Sequence, residues 1–129
     1  MDEAEKNQKI IEIKILESQV SQLEQQIALI DRQIIEMQML QDNLDDIKKL
    51  KNDRAFVPVG RDVFIESSIN QADYALVNVG EGIFLKKNIE DAKKTIERQK
   101  EKFLAARKEI VSEMNRIFMK IEEIGGSLH

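Results

Sequence analysis

Apolar residues fall at Ile13, Leu16, Val20, Leu23, Ile27, Ile30, Ile34 and Met37, in alternating steps of three and four. That spacing is an a/d heptad seam and predicts a coiled-coil helix. Neither Gly nor Pro interrupts the chain between about Glu5 and Asn52, so the predicted helix covers 5–52. Leu40, Leu44, Ile47 and Leu50 carry the seam onward after a three-residue slip, which is expected to overwind the coil locally. At ~1.5 Å per residue the helix would be roughly 70 Å long. A chain of 129 residues cannot hold such a rod inside a compact domain, so the rod is expected to project.

The helical period returns over 88–124. Asn88 suits an N-cap, and Glu90 and Asp91 follow where carboxylates favour the helix dipole. The seam reads Ile89, Ala92, Ile96, Gln99, Phe103, Ala106 and Ile110. It resumes, after a four-residue step, at Met114, Ile117, Ile121 and Ile124. Gly125 and Gly126 are expected to end the helix.

Between the helices, over 55–87, the period changes. FVPVG, DVFIESSI, YALVNVG and GIFLKK are short β-branched and aromatic runs. Gly60-Arg61-Asp62 separates the first two, and Gly80-Glu81-Gly82 the last two, which predicts two β-hairpins. Pro58 belongs at an edge or a strand start, because it cannot donate to a ladder. The Gly80-x-Gly82 pair superficially suggests a phosphate-binding loop. A strand follows it rather than a helix, there is no third Gly, and no Lys-Ser/Thr is present. It reads as a turn whose glycines supply positive φ.

Strands of roughly five residues in two hairpins do not fold alone in water, and their edges stay open. A two-stranded coil is expected to cover no sheet face, so the hairpins need other chains. Cassettes from several subunits are expected to close into a barrel-like sheet. Val57, Val59, Val63, Ile65, Leu76, Val77, Val79, Ile83, Phe84 and Leu85 are the candidate oligomerisation contacts. The fold class is therefore α+β: a long antiparallel two-helix coiled coil with two central hairpins, in one domain over 1–129.

Some apolar residues lie off the seam. Ile11 and Ile15 fall at f and c, and Phe118 and Met119 at e and f. Antiparallel pairing brings them together at the end of the rod away from the hairpins, as a candidate surface for apolar partners. Leu29, Ile35 and Met39 are off-seam in mid-rod and suggest an alternative, a structural adaptor that binds a folded partner along its length.

Charge strengthens the intramolecular pairing. Asp2 to Asp46 holds eleven acids and four bases, and Lys86 to Lys108 nine bases and four acids. An acidic helix beside a basic one favours the hairpin over two like helices. The net charge of −4, and a basic run without interleaved aromatics, argue against nucleic acid. No apolar run approaches the ~20 residues of a membrane span, and MDEAEKNQ is unlike a signal peptide. Without Cys there is no thiolate chemistry, which suits a reducing compartment. The single His, His129, is terminal and expected to be disordered, so triads and His-ligated metals have no basis. The reading is a cytoplasmic protein, not an enzyme, with no cofactor or metal. An NTPase ranks behind both binding readings.

These blocks resemble a known family. Two coiled-coil helices flanking PVGRDVFIESSI and ALVNVGEGIFLKKNIEDA are similar to the α-type subunit of prefoldin, over nearly the whole chain. The most specific parts are Pro58–Gly60, Val77–Lys87 and Glu90–Ala92. Two hairpins mark the α type, where the β type has one, and the short termini look archaeal. The resemblance implies a heterohexamer of two α-type and four β-type subunits, with the hairpins forming a β-barrel platform. Six coiled-coil tentacles would capture unfolded polypeptides without ATP and deliver them to a group II chaperonin. Carried over by position, the client-binding tip would include Ile10, Ile11, Ile13, Ile15 and Leu16. From the second helix it would include Met114, Ile117, Phe118, Met119, Ile121, Ile124 and Leu128. The first helix outruns the second by about ten residues, leaving the first few residues without a helical partner.

Overall fold

A computed structural model of the chain describes residues 2–128, so the expectation for His129 lies outside the described residues. The elements follow the predicted order. They are α1 (Glu3–Lys48), β1 (Lys51–Gly60), β2 (Val63–Gln71), β3 (Tyr74–Gly80), β4 (Ile83–Asn88) and α2 (Ile89–Gly126).

Element ends differ from expectation for local reasons. Asp2 caps α1, its Oδ1 accepting from the Glu5 N–H at 2.7 Å. Helix α1 stops at Lys48 rather than Asn52. Its last turn tightens, with Lys49 N bonded to Asp46 O and Leu50 N to Ile47 O. Asn52 then takes a φ of 55°, which no helix continues through. The polar run from Lys51 belongs to β1 instead of the helix. Asn88 caps α2 as predicted, Oδ1 accepting from the Asp91 N–H at 2.8 Å. Gly125 and Gly126 do not stop α2 but form its last residues. Ser127 and Leu128 close it through backbone bonds to Glu123, Ile124 and Gly125. Helix α1 exceeds α2 by eight residues, 46 against 38.

Contacts divide the chain into two units. The first joins the residues up to Ile35 with those from Glu101 onward. Here the helices pair antiparallel, since Lys9 bonds Ser127 while Asp31 bonds Arg107. Val20 and Ile117 are buried between them, and Leu16, Leu23, Ile27, Phe103, Ile110 and Met114 are half-buried.

The second unit spans Glu36–Lys100. Its core is Leu44, Ile89, Ala92 and Ile96, with Met37, Ala75 and Val77 packed against it. Two expectations change here. Leu44 is 8% exposed but Leu40 is 45% exposed, and Gln41 takes the half-buried place between Met37 and Leu44. The seam therefore runs 34, 37, 41, 44 without a slip; the expected stammer is absent, because one seam residue is polar. The helices also cover part of a sheet. Ala75 and Val77 alternate inward on β3, while Tyr74, Leu76 and Asn78 face out.

Strands β1 and β2 form one two-stranded antiparallel sheet, and β3 and β4 another. Each strand is an edge, which accommodates Pro58. Each hairpin bulges one valine before its turn, Val59 and Val79. In the second turn φ is 51° at Glu81 and 75° at Gly82, and it is 128° at Gly80. Two successive positive φ values make the primed turn that matches strand twist, so Gly80 and Gly82 serve the turn as expected.

The hairpins are copies. Residues 53–68 aligned on 73–88 share Asp, Ala, Val, Val, Gly and Phe at matching places. Every cross-strand pair from Gly60↔Val63 to Arg54↔Ser68 recurs twenty residues later, from Gly80↔Ile83 to Tyr74↔Asn88.

Candidate binding surfaces

In the first unit, Ile10, Ile11, Ile15, Phe118 and Met119 are exposed at the paired helix ends. Ile13, Leu16, Met114, Ile121, Ile124 and Leu128 are half-buried, and Ile117 is buried. The helical period explains the division. Seam residues turn toward the partner helix, while f, c and e positions turn out. Of the candidates, Leu16, Ile117 and Met119 line one groove of about 500 Å³. Its rim is Gln19, Glu113, Arg116, Lys120 and Glu123, polar neighbours that the apolar pattern alone missed. A helical turn on either side of Ile117 would have found most of them. Ile11 and Ile15 are exposed on α1 but do not line that groove. Leu29 and Ile35 are exposed further along α1 in this unit, and Met39 in the second.

The second unit carries the hairpin surface. Val57, Val59, Val63, Ile65, Leu76, Val79, Ile83, Phe84 and Leu85 are exposed. Val77 is the exception among the oligomerisation candidates, because its side chain is half-buried on the helices of its own chain. Phe56, Phe64 and Tyr74 are also exposed and enlarge the apolar surface beyond the predicted set. They sit in the alternation that β-strands impose, so the signal was available in the sequence.

A polar layer fixes the helices of this unit. Gln41 Nε2 donates to Glu97 Oε2 at 2.7 Å, and Lys100 Nζ donates to Gln41 Oε1 at 3.1 Å and Gln38 Oε1 at 3.0 Å. Lys93 pairs with Asp45, and Lys48 with Glu90. The Lys93 bond holds the Asp45 carboxyl below its usual range, and the Lys48 bond does the same for Glu90. Gln41, then Lys100, hold Glu97 down, while Asp45 raises Lys93. In the first unit Asp31 raises Arg107. Carboxylates held ionised beside cations fasten helices and are poorly placed to deliver protons near neutrality. Among the described residues, no cluster of three or more metal-ligating side chains forms, and no helix is long and apolar enough to cross a membrane.

Comparison with known proteins gives a consistent picture. The family model for the prefoldin subunit matches residues 16–128. The prefoldin subunit alpha of Methanobrevibacter smithii is 34% identical over 122 residues, covering 95% of this chain and 81% of that protein. The cryo-EM structure of filamentous PFD from Methanocaldococcus jannaschii superposes with a TM-score of 0.81 at 24% identity. It covers 94% of this chain and 98% of that one, and shares the fold.

Proposed function

The chain belongs to the prefoldin subunit family of chaperone co-factors, and on that premise we propose that it is an ATP-independent holdase subunit. The observation that carries this reading is the set of exposed Ile11, Ile15, Phe118 and Met119 at the paired helix ends. Such side chains meet the exposed apolar surface of an unfolded polypeptide. Each contact is weak, and several subunits on one platform multiply it through effective concentration. Weak contacts also permit release to a group II chaperonin without nucleotide.

The open hairpin surface supports assembly with β-type subunits, two α-type to four β-type, through a shared β-barrel. The whole chain acts as one working unit in the cytoplasm, with hairpins that assemble and helices that hold, and it catalyses no reaction. A second reading, an adaptor for a folded partner, draws support from the exposure of Leu29, Ile35 and Met39.

The test is suppression of aggregation of a denatured enzyme by the complex reconstituted with a β-type subunit. Ile11→Ser, Ile15→Ser and Met119→Ser together change exposed positions and should leave the complex intact. Suppression is expected to fall severalfold. Unchanged suppression, with loss on substituting Leu29, Ile35 and Met39 instead, would favour the adaptor.

A further inference from the structure

The chain holds no Cys and no Trp, so its thioethers are the side chains that a mild peroxide attacks. There are five methionines, at 1, 37, 39, 114 and 119, and Met1 lies outside the described residues. The other four divide by the helical period. Met37 and Met114 are seam residues and half-buried, whereas Met39 and Met119 fall at f and are 59% and 69% exposed. Met119 alone of the four lines the groove of about 500 Å³ at the paired helix ends, beside Leu16 and Ile117. The most exposed thioether of the described residues is therefore part of an apolar groove wall, and it stands outside the helix packing.

That position separates binding from folding. Hydrogen peroxide transfers one oxygen to the sulfur: the O–O bond breaks, an S–O bond forms, the sulfur gives up two electrons and the second oxygen leaves as water. The sulfoxide is polar where the thioether was apolar. On the empty groove its oxygen faces water, so the fold loses little. An apolar segment seated on the groove strips water from that oxygen, and burying a polar group costs binding. At Met114 the same change would fall in the seam and loosen the helix pair instead. We propose that Met119 is a redox site on this groove: peroxide converts it to the sulfoxide and weakens the hold on apolar polypeptide. The change is reversible, because two thiols of a reductase system take the oxygen away as water and are left as a disulfide. This rests on the reading of the paired helix ends as the client-binding surface, and adds a control to that surface.

The full chain is treated with hydrogen peroxide until Met119 is converted, freed of peroxide with catalase, and reconstituted with an untreated β-type subunit. Trypsin cuts after Arg116, which puts Met114 and Met119 on separate peptides, and mass spectrometry follows each. Met119 and Met39 should gain oxygen severalfold faster than Met37 and Met114, with the helical circular dichroism unchanged. Binding of a guanidinium-denatured enzyme, read as suppression of its aggregation, should weaken about threefold. It should return after treatment with methionine sulfoxide reductases for both epimers and a dithiol. Each variant is compared with its own untreated form. Met119→Leu should lose nothing on treatment, and Met39→Leu should lose as much as the wild type. Full conversion of Met119 without loss, or an equal loss in Met119→Leu, overturns the proposal. So does a loss that persists after the Met119 peptide has regained its original mass. An untreated Ile11→Ser, Ile15→Ser variant separates this result from the reading beneath it. If that variant suppresses less while the sulfoxide has no effect, only the redox site falls. If it too suppresses like the wild type, the client-binding surface falls with it.

Discussion

Leu44→Ala and Leu40→Ala form a paired test of where the helical seam runs. Leu44 is 8% exposed and packs with Ile89, Ala92 and Ile96. Truncation removes three carbons, worth about 2.4 kcal/mol at ~0.8 kcal/mol each. A cavity term usually raises Leu→Ala losses to about 2.7–5 kcal/mol. A groove of about 250 Å³ runs beside Leu44 along Leu40, Ala75 and Ile96, so water reaches the site and the lower end applies, about 3 kcal/mol. Leu40 is 45% exposed, and its loss should be about 1 kcal/mol. The assay is amide hydrogen exchange over residues 36–48 and 89–100, at one fixed protein concentration because assembly adds apparent stability. A gap of about 2 kcal/mol makes exchange about 30-fold faster in Leu44→Ala than in Leu40→Ala. Equal acceleration, or a larger effect at Leu40, would mean that the seam slips through Leu40 after all.

Two further outcomes are expected. Asp45, Glu90 and Glu97 are held below the usual carboxylate range, so their contribution is present above about pH 4–5 and fades as pH falls through the lowered values. The raised Lys93 contributes fully below about pH 10 and loses its effect above. Melting temperature should therefore fall with acid, and fall less steeply in a Lys48→Met, Lys93→Met variant; identical slopes would refute this. Gly82→Ala places a side chain at a φ of 75°, where nothing obstructs the new carbon but the backbone disfavours it by about 1 kcal/mol. Exchange in β3 and β4 should quicken about fivefold while Gly82→Asn changes it less, and equal rates in both would contradict the turn assignment.

The helices were legible because a heptad repeat is long and redundant, and the exposure of Ile11, Ile15, Phe118 and Met119 followed from their heptad places. At Gln41 the apolar pattern misled, since the seam residue there is an amide held by Glu97 and Lys100 and the neighbouring Leu40 stood in for it. The start of β1 was hidden for a different reason. Lys51–Arg54 face solvent on both sides and leave no alternation to read. Covering of β3 by Leu44, Ile89 and Ile96 needed three-dimensional information, because nothing in the spacing says which hairpin folds back on the helices. The hairpin duplication was present in the sequence throughout, and the changed charges obscured it.

The junction of β4 and α2 has no spare residue. Asn88 is the last residue of the strand and also the cap of the helix, and Ile89 N bonds to Asp73 O at the entrance to β3. Strand and helix therefore share one phase. Inserting a single residue after Asn88 would turn α2 by about 100° and carry Ile89, Ala92 and Ile96 away from Leu44 together. An insertion between Arg61 and Asp62 would only lengthen a solvent-exposed turn. Chain length is thus a fixed quantity where the second hairpin meets its helix and a freer one at the Arg61–Asp62 turn, where an engineered tag does least harm to the fold.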